Sequence, residues 1–291
     1  MGSLHCKAYS QIELCDFAGI YDPADKTAKD SASKYKVVRF GSIRELLESV
    51  DAVSIAVPTT LHFMIAKECI QKGVNILMEK PIAAGIDEAA GTIKMLEGRG
   101  LVFALGYIER FNPAVLKLFE LLKGKTIKSF EAERLAPPAP RANDVSVIFD
   151  LMIHDIDILL AMAGYQQPVL IKARGRKISG GIINDASCGL FFDRGPVARL
   201  VSSKAADKKS RTIKVMCDDC TIQADLISKR VIFSSEAIDR VFETRGEEQI
   251  KAEVLDFIIA IQDRCSPKVG AKEAYLSFKT ADSIEKAILR G

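Results

Sequence analysis

The sequence is short of the features that mark several classes of protein. It has no tryptophan and only three histidines, and its seven cysteines are odd in number and scattered, which is unlike a disulfide framework. The first residues lack the apolar core of a signal peptide. No apolar run is long enough to cross a bilayer, because charged residues interrupt even the most apolar stretch, 145–163. We therefore expect a cytoplasmic protein with reduced thiols and no membrane contact.

Neither sign of charge dominates. Lysine and arginine (41) nearly balance aspartate and glutamate (38), which leaves a formal net charge of +3. So small an excess gives no electrostatic case for nucleic acid or a membrane surface as partner. A chain that is 48% hydrophobic and 27% charged has an ordinary globular composition. Its 291 residues, at roughly 150 per domain, predict about two domains.

The histidines and cysteines do not make up a complete metal site. Cys217 and Cys220 have the spacing of a metal or redox pair, but no second pair accompanies them, and zinc needs four ligands. Strand-like runs flank Asp218-Asp219, a pattern that predicts a β-hairpin with the cysteines at its tip. We predict no metal.

The first third of the chain alternates short apolar strands with helical stretches. Predicted strands cover 17–21, 52–57, 75–78 and 101–107. Predicted helices cover 3–11, 60–72 and 87–98. Continuous apolar strands separated by helices indicate a parallel sheet covered on both faces. Residues 1–108 are thus predicted to form a doubly wound α/β domain.

Beyond residue 108 consecutive strands replace the alternation. Two predicted helices, 113–123 and 150–163, bracket a strand and a proline-rich loop. Further strands are predicted at 169–176, 187–192, 198–202, 212–216, 221–226 and 230–233. Strands joined by turns indicate an antiparallel sheet, so we predict an α+β domain over 109–291. An open sheet exposes one apolar face, which predicts a homodimer or homotetramer.

Ligands of doubly wound sheets bind beyond the C-terminal ends of the strands. Here those ends carry Asp22, Pro58-Thr59 and Glu79-Lys80-Pro81. A carboxylate such as that of Asp22 accepts hydrogen bonds from ribose hydroxyls and repels a 2′-phosphate, which favours NAD over NADP. Gly2 lies about 20 residues before Asp22, where the third glycine of a dinucleotide fingerprint belongs.

The first strand of such a sheet and the first two glycines of the fingerprint are absent from the sequence. That strand lies in the middle of the sheet, so its loss would leave two strand edges unpaired and remove the turn that faces the phosphates. We expect the codons upstream of Met1 to encode a short apolar strand and a Gly-x-Gly sequence. An in-frame stop there would favour a non-catalytic binding or regulatory protein.

Two short motifs resemble those of one enzyme family. Glu79-Lys80-Pro81 after a strand, followed by Asp150-x-x-x-His154 on a later helix, resembles the Gfo/Idh/MocA family over essentially the whole chain. The resemblance implies an NAD(P)-dependent dehydrogenase with a Rossmann-like domain and an open-sheet substrate domain. It implies that Lys80 lies near the nicotinamide and substrate, and that Asp150 and His154 flank the reacting hydroxyl.

The same resemblance implies contacts to the cofactor from the loop after the second predicted strand. Pro58, Thr59 and His62 belong to that loop, and Gly2, Asp22, Glu79 and Pro81 complete the predicted cofactor set. A separate basic stretch, 204–211, is predicted to be a solvated loop between strands.

The helix that carries the second motif supports the resemblance independently. Asp150, His154 and Asp157 lie at i, i+4 and i+7 and form one polar stripe among apolar neighbours. So apolar a helix is buried, and its polar stripe needs partners or a cavity. The stripe alone is as compatible with an internally paired structural histidine as with a catalytic one, and Lys80 tips the interpretation to catalysis.

Two further segments resemble one branch of the family, the UDP-N-acetylglucosamine 3-dehydrogenases, which oxidise a sugar C3 hydroxyl. They are 106–113 and Arg141-x-x-Asp144. The predicted substrate-binding residues are Tyr107, Arg110, Asn112, Arg141 and Asp157. Arginine suits a diphosphate because guanidinium binds its oxygens bidentately, although either arginine is as compatible with a surface ion pair.

The expected activity is therefore NAD-dependent oxidation of a secondary hydroxyl, at C3, of a UDP-sugar. His154 would accept the hydroxyl proton, Lys80 would stabilise the developing negative charge, and Asp150 would orient the imidazole or the sugar. A dehydrogenase for a polyol or simple sugar of the inositol type is the alternative enzyme. Arg110 and Arg141 should then matter little.

Overall fold

The computed structural model describes residues 1–138, 145–177 and 181–290. The chain forms two compact units, Met1–Ile108 with Glu247–Tyr275 and Glu109–Gly246 with Leu276–Gly291. The division predicted from the sequence, 1–108 and 109–291, differs from these units in the segment Glu247–Tyr275, which belongs to the first unit. No helix among the described residues is long and apolar enough to cross a membrane.

The first unit contains a parallel α/β arrangement. Its strands are β1 (Gly19–Ile20), β2 (Val38–Arg39), β3 (Ala52–Ile55), β4 (Asn75–Glu79) and β5 (Phe103–Gly106). Its helices are α1 (Gly2–Tyr9), α2 (Asp25–Tyr35), α3 (Ile43–Leu47), α4 (His62–Lys72), α5 (Ile86–Leu96) and α8 (Gln249–Gln262). The alternation of strands and helices predicted for this region is confirmed.

The parallel strands lie in two separate sheets within the described part of the chain. β1 pairs with β2, and β3, β4 and β5 pair in that order. In β4 the successive residues Ile76, Leu77 and Met78 are all fully buried. Because neighbouring residues of a strand point to opposite faces, both faces of this sheet are covered.

An apolar cluster attaches α8 to the first unit. Its buried members are Ala8, Ile12, Leu77, Ala104, Ile250, Val254, Phe257 and Ile258. They come from α1 and the turn after it, from β4 and β5, and from α8, so α8 buries its apolar stripe where β4 and β5 need cover. This packing explains why a segment so late in the sequence belongs to the first unit.

The second unit is built on one large sheet. Its strands are β6 (Ile127–Leu135), β7 (Leu170–Lys177), β8 (Ile183–Phe191), β9 (Val197–Ser203), β10 (Ser210–Cys217), β11 (Thr221–Asp225), β12 (Arg230–Ser234) and β13 (Asp239–Glu243). The remaining helices are α6 (Pro113–Leu121), α7 (Ile153–Met162) and α9 (Ala271–Arg290), of which α9 belongs to this unit from Leu276 onward. A π-helical segment, Ile148–Met152, leads directly into α7.

The eight strands follow the order β13-β12-β11-β10-β6-β9-β8-β7. Every neighbouring pair is antiparallel except β6 and β9, which run parallel. The sequence predicted an antiparallel sheet, and this one pair departs from it. The departure has a topological cause, because α7 and two further strands separate β6 from β9 and a parallel pair needs such a crossover.

The cysteine pair lies where the sequence predicted it. Cys217 ends β10, its backbone N–H donates to the Cys220 carbonyl oxygen at 2.8 Å, and β11 follows at once. The prediction of a hairpin tip is confirmed. Burial raises the pKa of the Cys217 thiol to about 11, so it stays protonated at neutral pH.

Candidate active site

The C-terminal ends of the parallel strands carry the residues predicted to bind the cofactor. Asp22 follows β1, Pro58 and Thr59 follow β3, and Lys80 follows Glu79, the last residue of β4. Helix α1 starts at this end of β3, since a Cβ atom built on Gly2 would lie 3.8 Å from the Cβ of Ala56. A helix N-terminus beside strand ends is the arrangement that binds a dinucleotide phosphate.

The donor chemistry at these strand ends fits NAD. Asp22 is partly exposed, and its Oδ1 accepts a hydrogen bond from the backbone N–H of Ala24 at 2.8 Å. This turn fixes a carboxylate just past the first parallel strand, where it suits the ribose hydroxyls of NAD and opposes a 2′-phosphate.

His62 connects two of the strand ends. Its ring is buried, with Nδ1 2.8 Å from the carbonyl oxygen of Pro81 and Nε2 3.1 Å from that of Val57. Both partners are acceptors, so a protonated ring nitrogen on either side donates to a backbone carbonyl. The ring therefore bridges the loop after β3 and the loop after β4. A direct contact of His62 with the cofactor stays a prediction.

Glu79 belongs to a buried cluster that the sequence analysis did not anticipate. His5 Nε2 lies 2.7 Å from Glu79 Oε1, and Glu253 of α8 completes the group. One donor atom from each lies within 4.8 Å of the others, and all three residues are buried. Both carboxylate oxygens of Glu253 lack a hydrogen-bond partner among the described residues. Two carboxylates and an imidazole are a ligand set that can hold a divalent cation. Protonation of one carboxylate is the other way to avoid two buried negative charges.

Burial raises the pKa of Glu253 well above its usual value, and the nearby carboxylates of Glu79 and Asp256 raise it further. A carboxyl whose pKa is raised on folding stabilises the protein at acid pH, and that contribution is lost as the pH rises toward the folded-state value. At neutral pH Glu253 is ionised in the unfolded chain, so its burial in the fold lowers the free energy of unfolding there.

Glu253→Gln is accordingly expected to increase the free energy of unfolding at neutral pH, with the gain vanishing toward about pH 4, where unfolded glutamate is protonated. Urea unfolding at about pH 4 and about pH 7 measures the difference. Glu236→Gln, at an exposed position, is the matched control. An equal gain in the free energy of unfolding at both pH values would contradict a raised pKa of Glu253 as its cause.

In the second unit, Asp150 and His154 lie one turn apart at the start of α7. Asp150 belongs to the π-helical segment and His154 to the first turn of α7. π-Helical turns occur frequently at functional sites. The side chain of Asp150 is 32% exposed, and its Oδ2 lies 2.8 Å from Lys204 Nζ. His154 is 9% exposed.

The predicted loop between strands is present from 204 to 209, where β9 gives way to β10, and 207–209 are exposed, but the Lys204 side chain is buried and 210–211 belong to β10. The side chain of Lys204 is 6% exposed, and its Nζ donates to the carbonyl oxygen of Val145 at 2.7 Å as well as contacting Asp150. The contact with this buried lysine fixes the direction of the Asp150 carboxylate. At Lys204 the charge run misled the sequence analysis because the partners of this residue precede it by more than 50 residues.

Arg110 and Asp157, both predicted to bind substrate, contact each other. Arg110 Nη1 lies 3.3 Å from Asp157 Oδ2 and 2.9 Å from the hydroxyl of Tyr165. Ser277 donates to Asp157 Oδ1 at 3.4 Å. The guanidinium of Arg110 thus neutralises a fully buried carboxylate within the second unit. A role of either side chain in substrate binding stays a prediction.

The other predicted substrate residues differ in what surrounds them. Asn112 is buried and caps α6, with Oδ1 accepting from Ala114 N at 3.0 Å and Nδ2 donating to the Leu226 carbonyl oxygen at 3.0 Å. Tyr107 is fully buried just past β5 in the first unit. Arg141 lies outside the described residues, so its prediction stands on the sequence alone.

Arg134 lies at the centre of an ion network that includes Asp155 of α7. No pattern in the sequence pointed to this residue. Its guanidinium makes two bonds with Asp155, at 2.7 and 2.9 Å, and one with Glu109 at 2.8 Å. Arg211 also donates to Glu109, at 2.8 Å. Burial alone would raise the pKa of Glu109, but Arg134, Asn112 and Arg211 outweigh burial and hold that pKa below its usual value.

Known proteins share this combination of units. Residues 1–107 match the oxidoreductase family with an NAD-binding Rossmann fold that is named Gfo/Idh/MocA. The chain is 32% identical to UDP-N-acetylglucosamine 3-dehydrogenase from Acidithiobacillus ferrooxidans over 271 residues, 90% of this chain and 85% of that protein. It is 27% identical to scyllo-inositol 2-dehydrogenase (NAD(+)) from Bacillus subtilis over 177 residues, 56% of this chain and 52% of that protein.

Solved structures of known proteins share the fold of this chain. A structure of the Acidithiobacillus ferrooxidans enzyme has a TM-score of 0.94 at 30% identity and covers 99% of this chain and 94% of that one. Levoglucosan dehydrogenase, in complex with NADH and levoglucosan, has the same fold, with a TM-score of 0.89 at 17% identity over 100% of this chain and 95% of that one.

A Rossmann-like unit together with a large, mostly antiparallel sheet defines a nicotinamide-dependent dehydrogenase. The chain belongs to the Gfo/Idh/MocA family of oxidoreductases, and NAD is the cofactor of its Rossmann-like unit.

Proposed function

We propose that the protein oxidises a secondary hydroxyl, at C3, of a UDP-sugar such as UDP-N-acetylglucosamine. The observation that carries the proposal is the placement of Asp150 and His154 one turn apart, with Asp150 held by Lys204. It is supported by the 32% identity of the chain to a UDP-N-acetylglucosamine 3-dehydrogenase. Asp150 keeps a third of its side chain exposed although Lys204 contacts it, so it remains accessible to a small molecule.

Each side chain has a definite task in this proposal. His154 accepts the proton of the sugar hydroxyl as general base, a task that imidazole performs well near neutral pH. Asp150, held by its contact with Lys204, orients the imidazole or a neighbouring sugar hydroxyl. Lys80 donates a hydrogen bond to the reacting oxygen and stabilises the negative charge that develops there.

The bound NAD supplies the hydride acceptor. The chain's contribution to that chemistry is placement, with Asp22 on the ribose and the N-terminus of α1 on the phosphates. Alignment of a C–H bond with the nicotinamide supplies much of the rate enhancement.

An inositol-type dehydrogenase is the second candidate, and one observation favours it. Arg110 is engaged with Asp157 and Tyr165, whereas a diphosphate ligand needs available guanidinium groups.

We also propose an oligomeric state and a cellular location for the protein. The open sheet of the second unit supports a homodimer or homotetramer, and the unpaired thiols of the described cysteines support a cytoplasmic protein.

NADH formation distinguishes the two candidates. We expect turnover with NAD and UDP-N-acetylglucosamine, and little with NADP or with myo-inositol at equal concentration. N-Acetylglucosamine without the nucleotide is the matched control, because it carries the same C3 hydroxyl. Turnover of myo-inositol that exceeds that of the nucleotide sugar would replace the proposal by the second candidate.

A further inference from the structure

Lys80 lies between two residues that are each anchored by a buried histidine. Glu79, before it, bonds His5 through Oε1 at 2.7 Å. Pro81, after it, bonds His62 through its carbonyl oxygen at 2.8 Å. His5 and His62 are 3% and 1% exposed. Neither histidine lies near Lys80 in the sequence, yet together they restrain the chain on both of its sides.

We propose that His5 and His62 are positioning residues that clamp Lys80 at the end of β4. The inference rests on the proposed function, in which Lys80 acts on the reacting oxygen. His5 works through the side chain of Glu79, and His62 works through the backbone of Pro81. The three histidines of the sequence would then all serve one reaction, two by position and His154 by chemistry.

The surroundings of Glu79 explain why its side chain can act as an anchor. A Cβ atom on Gly106 of β5 would come within 3.3 Å of the Glu79 carboxyl group, so the glycine leaves the space that this side chain fills. Gly106 is also the strand partner of Glu79. A carboxylate oxygen of Glu253 also lies within 4.8 Å of the Glu79 carboxyl group. Packed in this way, Glu79 transmits a displacement of His5 to the backbone that carries Lys80.

His62 restrains the opposite side through a different ring atom. Its Nδ1 faces Pro81, whereas the bond of His5 to Glu79 is made through Nε2. The amide nitrogen of asparagine superimposes on the Nδ1 position, and that of glutamine reaches the Nε2 position. The clamp therefore predicts opposite preferences at the two sites. Glutamine should replace His5, and asparagine should replace His62.

The test compares matched amides in the full protein. His5→Gln should recover most of kcat, whereas His5→Asn should lower it by about 10- to 100-fold, the range that small misplacements cost. At His62, which is also a predicted cofactor contact, His62→Asn should retain about 10- to 100-fold more kcat than His62→Gln. In the His5 variants the KM for the sugar and the Kd for NAD should change much less, because the clamp acts on one side chain. Each pair has nearly equal polarity and size, so a general loss of stability would not reverse its preference between the positions.

A double-mutant cycle separates positioning from stability. Added to Lys80→Ala, His5→Asn and His62→Gln should have no further effect on kcat, since the residue through which they act is already missing. Effects that multiply with that of Lys80→Ala would overturn the clamp, as would equal tolerance of both amides at both positions.

A second measurement does not depend on turnover. Amide hydrogen exchange of the segment 79–82 should be faster in His5→Asn and His62→Gln than in the matched amides. If the wild-type protein oxidises no sugar, the proposed function fails while this comparison still tests the clamp. Unchanged exchange in all four variants overturns the clamp even if the enzyme is active. Metal that copurifies with the wild-type protein and is lost in both His5→Gln and Glu253→Gln would also overturn it, in favour of a cation site.

Discussion

Replacing His154 by alanine is expected to lower kcat by about 10²–10⁴-fold, the usual contribution of a general base. The residue lies in the first turn of α7 in the second unit, whereas the predicted cofactor residues all lie in the first unit. The Kd for NAD should therefore stay within about twofold of the wild-type value. Steady-state NADH formation gives kcat, and isothermal titration calorimetry with NAD gives Kd.

His154→Gln keeps a side chain of similar length without a base and should lose as much activity as His154→Ala. Ala161→Ser, a mild change further along α7, controls for disturbance of the helix. The pH profile adds a further criterion, because loss of the base should abolish the acid limb of kcat/KM. Activity that survives His154→Ala within about threefold would refute the assigned role, since so small a loss is below any general-base effect.

Local pattern was enough to predict the elements that carry the site. Apolar runs located β3 and β4, and their ends placed Pro58 and Lys80 correctly at the carboxyl edge of a parallel sheet. The polar stripe of Asp150, His154 and Asp157 predicted a buried helix that carries polar groups. The structure has such a helix in α7 and the π-helical segment before it. Such features depend on residues within one or two turns, and sequence periodicity records them.

The partners of those residues could not be predicted, because they are distant in the sequence. His5 and Glu79 are 74 residues apart, and Asp150 is joined to a lysine that pattern alone assigned to solvent. Arg110 was expected to face a ligand, yet its carboxylate partner Asp157 comes from the stripe itself. Charge and periodicity show that a buried polar group needs a partner, but only the fold decides which one.

Arg134 also depends on distant partners, and its replacement is expected to have a large effect on stability. Its guanidinium is 2% exposed and shared by Glu109 and Asp155, the residue that follows His154. Arg134→Met keeps the volume but leaves Asp155 without its guanidinium partner and removes one of the two arginines that contact Glu109. Loss of one partner of a buried ion pair costs about 3–5 kcal/mol, and we expect a decrease of that size in the free energy of unfolding.

Urea unfolding measures this loss, and Arg176→Met provides the contrast. Arg176 makes an equally short pair with Asp185, 2.7 Å in length, but 74% of its side chain is exposed, so its removal should cost no more than about 1 kcal/mol. Adding Glu109→Gln and Asp155→Asn to Arg134→Met should restore much of the lost stability, because the cost comes from carboxylates left buried and charged rather than from the missing attraction. If the triple variant is less stable than Arg134→Met alone, the network stabilises α7 through its charges, and the argument from uncompensated burial is wrong.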